Sequence, residues 1–255
     1  MAVMIWTFCL VLTRVTTFVT VLPLFGAINS PRLVKAALAM ALTVVWFMPM
    51  AEAMSPAVML RPAVSESWVT CMIAVGREIL LGGILGYGLG LFLVPVQVAG
   101  EYLTQEMGLS FGSQVNPGTS MAASPYTQIL ELLAIAIFFG CDGHHVLLGV
   151  LHATFAQYPL TGALPDVPLP RLVAGATMAQ EWGLMLAAPI GLLLFLTTVF
   201  LALLTRAAPQ MNLYAIGFPL RLGVGLVASL LLLPGWINAV VSAFSHFGQL
   251  ASQLM

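Results

Sequence analysis

Residues 108–112 read Gly-Leu-Ser-Phe-Gly, the G-x-S-x-G spacing that presents a nucleophilic serine from a tight strand-to-helix turn. Asp142 and then His145 or His152 follow in the Ser, Asp, His chain order of that fold. A histidine there would take the Ser110 proton, and the aspartate would orient the ring. The turn needs a strand before it and a parallel sheet to hold it, and the chain reads instead as apolar helical segments. An intramembrane serine hydrolase escapes the sheet requirement, needing only Ser110 and a histidine across a water-filled cavity. A five-residue pattern in a glycine-rich chain also arises by chance.

Asp142, His144, His145 and His152 raise the question of a metal. Zinc takes three or four ligands converging from set directions, whereas adjacent histidines on a helix point about 100° apart. The expectation is therefore a polar helix start at a membrane boundary, with no metal. Glu78, Glu101, Glu106, Glu131 and Glu181 lie in or beside apolar stretches, where ionisable groups are costly and draw functional suspicion. Interhelical pairing or solvation is preferred over an ion relay. Arg77 and Glu78 could partly neutralise each other's field, although sequence neighbours do not face the same way on a helix. No nucleotide-binding glycine loop, HExxH or EF-hand pattern occurs, so no cofactor is expected and any energy source lies elsewhere. Cys9, Cys71 and Cys141 are far apart and odd in number, which reads as packing rather than redox chemistry.

The elements that carry these residues follow from composition. Of 255 residues 60% are hydrophobic and 7% charged, with a mean hydropathy of +1.04. Soluble domains carry about a quarter charged residues, so this is a membrane-class chain. Its net charge of −1 offers no basic face for nucleic acid. Nearly charge-free runs at 36–51, 79–100, 143–165, 182–205 and 222–255 reach or approach the roughly 17–25 residues of a spanning helix. Six to eight helical segments are expected, many in hairpins and kinked at prolines. The first charge, Arg14, falls inside the first apolar stretch rather than ahead of it, so no cleaved signal is expected. Lysines and arginines are too sparse to fix topology.

Further expectations are local. Asn29-Ser30-Pro31 is a turn before a helix from about Arg32 to Trp46, and 48–67 is a polar connection. A long segment from Trp68 to about Val98 contains Gly82, Gly86 and Gly90, a four-residue repeat that lets another helix backbone approach closely. Helices are expected from about Tyr126 to Phe139, from the CDGHH cluster at 141–145, over 174–204 and over 219–241, with an exposed proline-rich loop at 161–170. A secondary transporter would use breaks at Pro95, Pro117 and Pro219 with glutamates as coupling groups. The chain reads as a single domain over 1–255.

Three stretches, GEYLTQEMGLSFGSQVNPGTS (100–120), GHHVLL (143–148) and RAAPQMNLYAIGFPLRL (206–222), resemble the signatures of the FliR family of flagellar type III export-gate proteins, whose injectisome counterpart is the SctT family. Pro23-Leu24-Phe25 and Ser30-Pro31-Arg32 fit as well. The resemblance covers roughly 10–245, and Gly217-Phe218-Pro219-Leu220 looks more flagellar than injectisome. It implies an all-α, integral-membrane-type subunit of helical hairpins, packed in a hetero-oligomeric gate with several copies each of FliP and FliQ. FlhB and FlhA, membrane lipid and unfolded flagellar cargo are further implied partners, at the bacterial inner membrane in the flagellar basal body. It also implies that residues 105–123 form a plug loop within the pore, and that the chain is not an enzyme. Met107, Gly108, Phe111, Gly112, Gln114, Asn116 and Pro117 would shape this closed gate. Gly82, Gly86, Gly90, Gly217, Phe218, Pro219 and Arg221 would serve helix packing or subunit contact. The physical reading agrees with a plug: irregular backbone at membrane depth is tolerated where protein buries it or it lines a cavity. Glycines at 108, 112 and 118 permit tight bends, and Met107 and Phe111 supply apolar caps to a constriction. The family commonly has Gln immediately before Met-Gly, whereas this chain has Glu106 there.

Overall fold

A computed structural model describes residues 2–25, 31–53, 68–110, 124–160, 169–208 and 213–253. Among them all regular structure is helical and no strand occurs. The helices are α1 (Ala2–Val21), α2 (Arg32–Ala53), α3 (Trp68–Gly90), α4 (Val94–Glu106), α5 (Pro125–Gly140), α6 (Gly143–Gln157), α7 (Leu169–Ala207) and α8 (Leu213–Gln253), with a 3-10 turn at Pro23–Phe25. Four are long and apolar enough to cross a membrane, or five if the broken pair α5 and α6 forms one span.

The expected segment from Trp68 to Val98 divides at Leu91–Leu93 into α3 and α4. Pro95 in the first turn of α4 explains the division, because its ring lacks an N–H and starts a helix better than it continues one. α2 runs on to Ala53, past the expected end at Trp46. α7 and α8 begin before the expected 174 and 219, and α8 ends well beyond 241.

The chain divides into two compact units. The first comprises Met1–Leu91, Asp142–Gly175 and Phe247–Met255. In it α1 packs on α2 and α3, burying Val11, Val15, Phe18 and Leu22 at helical spacing. Gly82, Gly86 and Gly90 face this seam: a methyl group at Gly82 would strike the Arg14 carbonyl, one at Gly86 would lie 2.9 Å from the Phe18 carbonyl, and one at Gly90 would lie 2.5 Å from Pro23 Cδ. Only hydrogen fits at that separation, so the repeat sets how closely the backbones approach.

A buried charge cluster crosses the same seam. Arg14 is fully buried, and its Nε donates to Glu78 Oε2 at 2.5 Å. Its other nitrogens donate to the Thr154 and Tyr158 carbonyls at 3.2 and 3.0 Å, and the guanidinium lies 4.5 Å from the Phe155 ring centroid. Arg77 donates to the Pro159 carbonyl at 2.8 Å. The last carbonyls of a helix lack internal partners and carry partial negative charge. Arg14 thereby satisfies the Tyr158 carbonyl at the end of α6, adds a second donor to the Thr154 carbonyl, which already accepts from the Tyr158 N–H at 2.9 Å, and neutralises Glu78, while Arg77 ties down the chain just beyond. His152, an exposed residue, accepts at Nδ1 from the Trp46 indole at 3.1 Å.

The second unit comprises Phe92–Cys141 and Ala176–His246. Phe92 stacks on Phe138 with centroids 4.6 Å apart, and Phe244 meets Phe92 edge-on at 5.2 Å. Close approaches recur where α7 glycines face α4: an added Cβ at Gly183 would lie 2.7 Å from Val98, and one at Gly191 2.9 Å from the Tyr102 ring. α4 and α5 pack against each other, which brings the two ends of the 107–124 stretch together.

Candidate functional site

The end of α4 is built by its own sequence. The Gly108 N–H donates to the Gln105 carbonyl at 3.0 Å and the Leu109 N–H to the Thr104 carbonyl at 3.0 Å. These are the two bonds of a Schellman motif, which needs a residue in the left-handed region at the glycine position. Gly108 has φ 78°, the one positive-φ glycine among the described residues. The turn leaves Met107 fully buried, and its side chain seats on α8 where Gly225 offers no Cβ. A methyl group at Gly225 would lie 2.6 Å from Met107 Cε and 2.9 Å from Sδ.

The start of α5 is equally specified. Ser124 is the N-cap, its Oγ accepting from the Thr127 N–H at 3.2 Å, and Pro125 opens the helix. Three hydroxyls then close the stem. Thr104 Oγ1 lies 2.7 Å from Ser124 Oγ and 3.2 Å from Thr127 Oγ1, and Ser124 and Thr127 are 3.1 Å apart. The helices come this near because an added Cβ at Gly100 would meet Thr127 Cγ2 at 2.9 Å. Tyr126 continues onto α8: its hydroxyl pairs with Ser229 Oγ at 2.7 Å, and Ser229 in turn donates to the Gly225 carbonyl at 2.6 Å. Both ends of the stretch thus dock on one turn of α8, Gly225–Ser229. Glu131, further along α5, is buried as well.

Of the residues singled out in sequence, Met107 and Gly108 belong to this stem, while Phe111, Gly112, Gln114, Asn116 and Pro117 lie outside the described residues. Gly217 is buried beside Leu201, and Phe218 is 44% exposed. Pro219 lies inside α8 and lines an apolar groove of about 420 Å³ with Leu193, Val224 and Leu231. Arg221 is half-buried, its Nε without a hydrogen-bond partner among the described residues. Glu78 pairs with Arg14, whereas Glu101 and Glu181 are exposed and Glu106 is half-buried. Asp142 Oδ1 lies 3.6 Å from His145 Nδ1, and His152 is held by Trp46. The strand that a nucleophile turn at Ser110 requires does not occur among the described residues.

Thr104, Ser124, Thr127, Gly225 and Ser229 were not expected from the sequence. Two signals were available. Gly225-x-x-x-Ser229 is a small-residue pair at helical spacing, and Ser124-Pro125 is a helix-start signature.

Similarity to known proteins agrees with this architecture in extent. The profile of the family described as bacterial export proteins, family 1, matches residues 5–247. The flagellar biosynthetic protein FliR of Escherichia coli K12 is 32% identical over 224 residues, 88% of this chain and 82% of that protein. FliR of Bacillus subtilis 168 is 26% identical over 86% of this chain and 83% of its own length. The Yop proteins translocation protein T of Yersinia pestis is 27% identical over 69% of this chain and 68% of its own length.

Proposed function

Because this chain belongs to the bacterial export proteins, family 1, we propose that it is the FliR-type subunit of a flagellar type III export gate. It assembles with several copies of FliP and FliQ into a gated pore at the inner membrane, within the flagellar basal body. FlhB and FlhA adjoin the gate on the cytoplasmic side, and unfolded flagellar proteins pass through it. Residues 105–123 plug the closed pore, and no catalytic residue or cofactor of this chain takes part.

One observation supports the plug above others: the stretch has a closed stem. Its two ends meet through Thr104 and Ser124 at 2.7 Å, and both dock on Gly225–Ser229 through Met107 and Tyr126. A segment so anchored can block a pore or move aside without unravelling the helices beneath it. Backbone without regular hydrogen bonding is costly in lipid but not in a protein-lined pore. Phe111 then supplies the bulk of a constriction that dewets and excludes ions.

Native mass spectrometry of the chain in mild detergent, with and without co-expressed FliP and FliQ, tests the assembly. One copy bound to several copies of each partner is the expected result. A self-contained monomer or homodimer that ignores both would overturn the gate and direct attention to solute binding at the glutamates.

A further inference from the structure

The turn between α5 and α6 holds a group of side chains that the gate does not use. Within a regular helix adjacent histidines diverge, and the sequence alone argues against their sharing a ligand. The structure differs at one residue. Asp142 has φ 55°, the one positive-φ residue other than glycine among those described, a conformation that aspartate tolerates better than most side chains. This turns its carboxylate over the first turn of α6. Asp142 Oδ1 comes to 3.6 Å from His145 Nδ1, the His144 and His145 ring centroids lie 4.2 Å apart, and one ligand atom from each of the three residues lies within 4.8 Å of the others.

From this geometry we infer that Asp142, His144 and His145 form a three-ligand site for a borderline divalent cation of the zinc class. Two imidazole nitrogens and one carboxylate oxygen are ligands that Zn(II) accepts, with water completing a tetrahedron. Zinc bonds of about 2.1 Å place neighbouring donors roughly 3.4 Å apart. The Asp142–His145 pair is already near that spacing, and closing the widest pair needs only side-chain rotation. Asp142 and His145 have side chains 74% and 72% exposed, so rotation of either toward half-buried His144 displaces water rather than packing. The negative carboxylate also offsets the unfavourable dipole that a helix N-terminus presents to a cation. A bound ion cross-links the left-handed residue to the helix that follows it and stiffens the turn after Cys141.

The test is calorimetric titration of Zn(II) into the chelator-treated full chain in mild detergent, purified without a histidine tag. One equivalent per chain is expected. Asp142→Asn and His145→Gln should each weaken it at least tenfold without changing the melting temperature of the metal-free protein, and Cys141→Ser should leave it unchanged. Zn(II) should also slow hydrogen exchange at residues 142–146 in the wild type alone. Failure to bind Zn(II), binding indifferent to both Asp142→Asn and His145→Gln, or loss of binding with Cys141→Ser would each overturn the site.

Discussion

Gly108 marks where α4 stops, and its φ of 78° is what a Cβ would make expensive. Gly108→Ala should cost about 1 kcal/mol, read as roughly fivefold faster hydrogen exchange at the Leu109 amide. The hydroxyl cluster separates two roles in the same way. Ser124→Ala removes both the cap and a cluster member, so exchange should speed at the Thr127 amide that donates to Ser124 Oγ, with a loss of about 1 kcal/mol. Thr104→Val leaves the cap intact and should leave that amide slow; equal acceleration in both variants would mean that the cluster, not the cap, orders the helix start. Ser110→Ala should leave export nearly normal, and loss of export with intact assembly would revive the serine-hydrolase reading. The bend at Gly108 was legible because glycine before a polar break has one common use at a helix end. The hydroxyl cluster was not, since Thr104 and Ser124 are 20 residues apart and a threonine carries no mark of its distant partner.

At the scale of elements, the α1–α3 seam rests on glycines and a buried ion pair. A leucine at Gly86 would have to displace the Phe18 carbonyl and Val21, which lie 2.9 and 3.0 Å from its first side-chain carbon. Helix separation and loss of folded protein in detergent are the expected outcome, whereas Gly76→Leu, with nothing within 4 Å of its Cβ, should be mild. Arg14→Met removes the shorter of the two ion-pair contacts of buried Glu78, leaving it only Arg77 Nη1 at 3.7 Å, and strips donors from the Thr154 and Tyr158 carbonyls. A destabilisation of about 3–5 kcal/mol is expected, measured as a drop in thermal stability. Arg14→Met with Glu78→Met should recover part of it, since the carboxylate penalty goes but the carbonyls and Arg77 still lose partners. The glycine repeat was readable from its period of four. The ion pair was not: Glu78 has Arg77 beside it in sequence, yet its short bond runs 64 residues back to Arg14, and only the packed seam supplies that pairing.

The whole molecule carries more apolar surface than one chain can cover. α7 and α8 have 39 and 41 residues, about 60 Å of helix each at 1.5 Å per residue, against a hydrocarbon core near 30 Å. Leu192, Phe195, Phe200, Leu230 and Leu231 are more than half exposed along them. Lipid covers only part of such lengths, which is the demand that partner subunits of a gate would meet. Helical class and membrane composition were legible because both depend on local pattern and average content. The anchorage of the two ends of the 107–124 stretch was not, because it depends on α8 returning more than 100 residues later to seat Met107 and Tyr126. The most direct measurement is single-channel conductance of the assembled gate with Phe111→Ala in place of wild type. A several-fold rise in ion leak with unchanged subunit stoichiometry is expected if residues 105–123 close the pore. Conductance identical to the wild type in intact assemblies would contradict the plug.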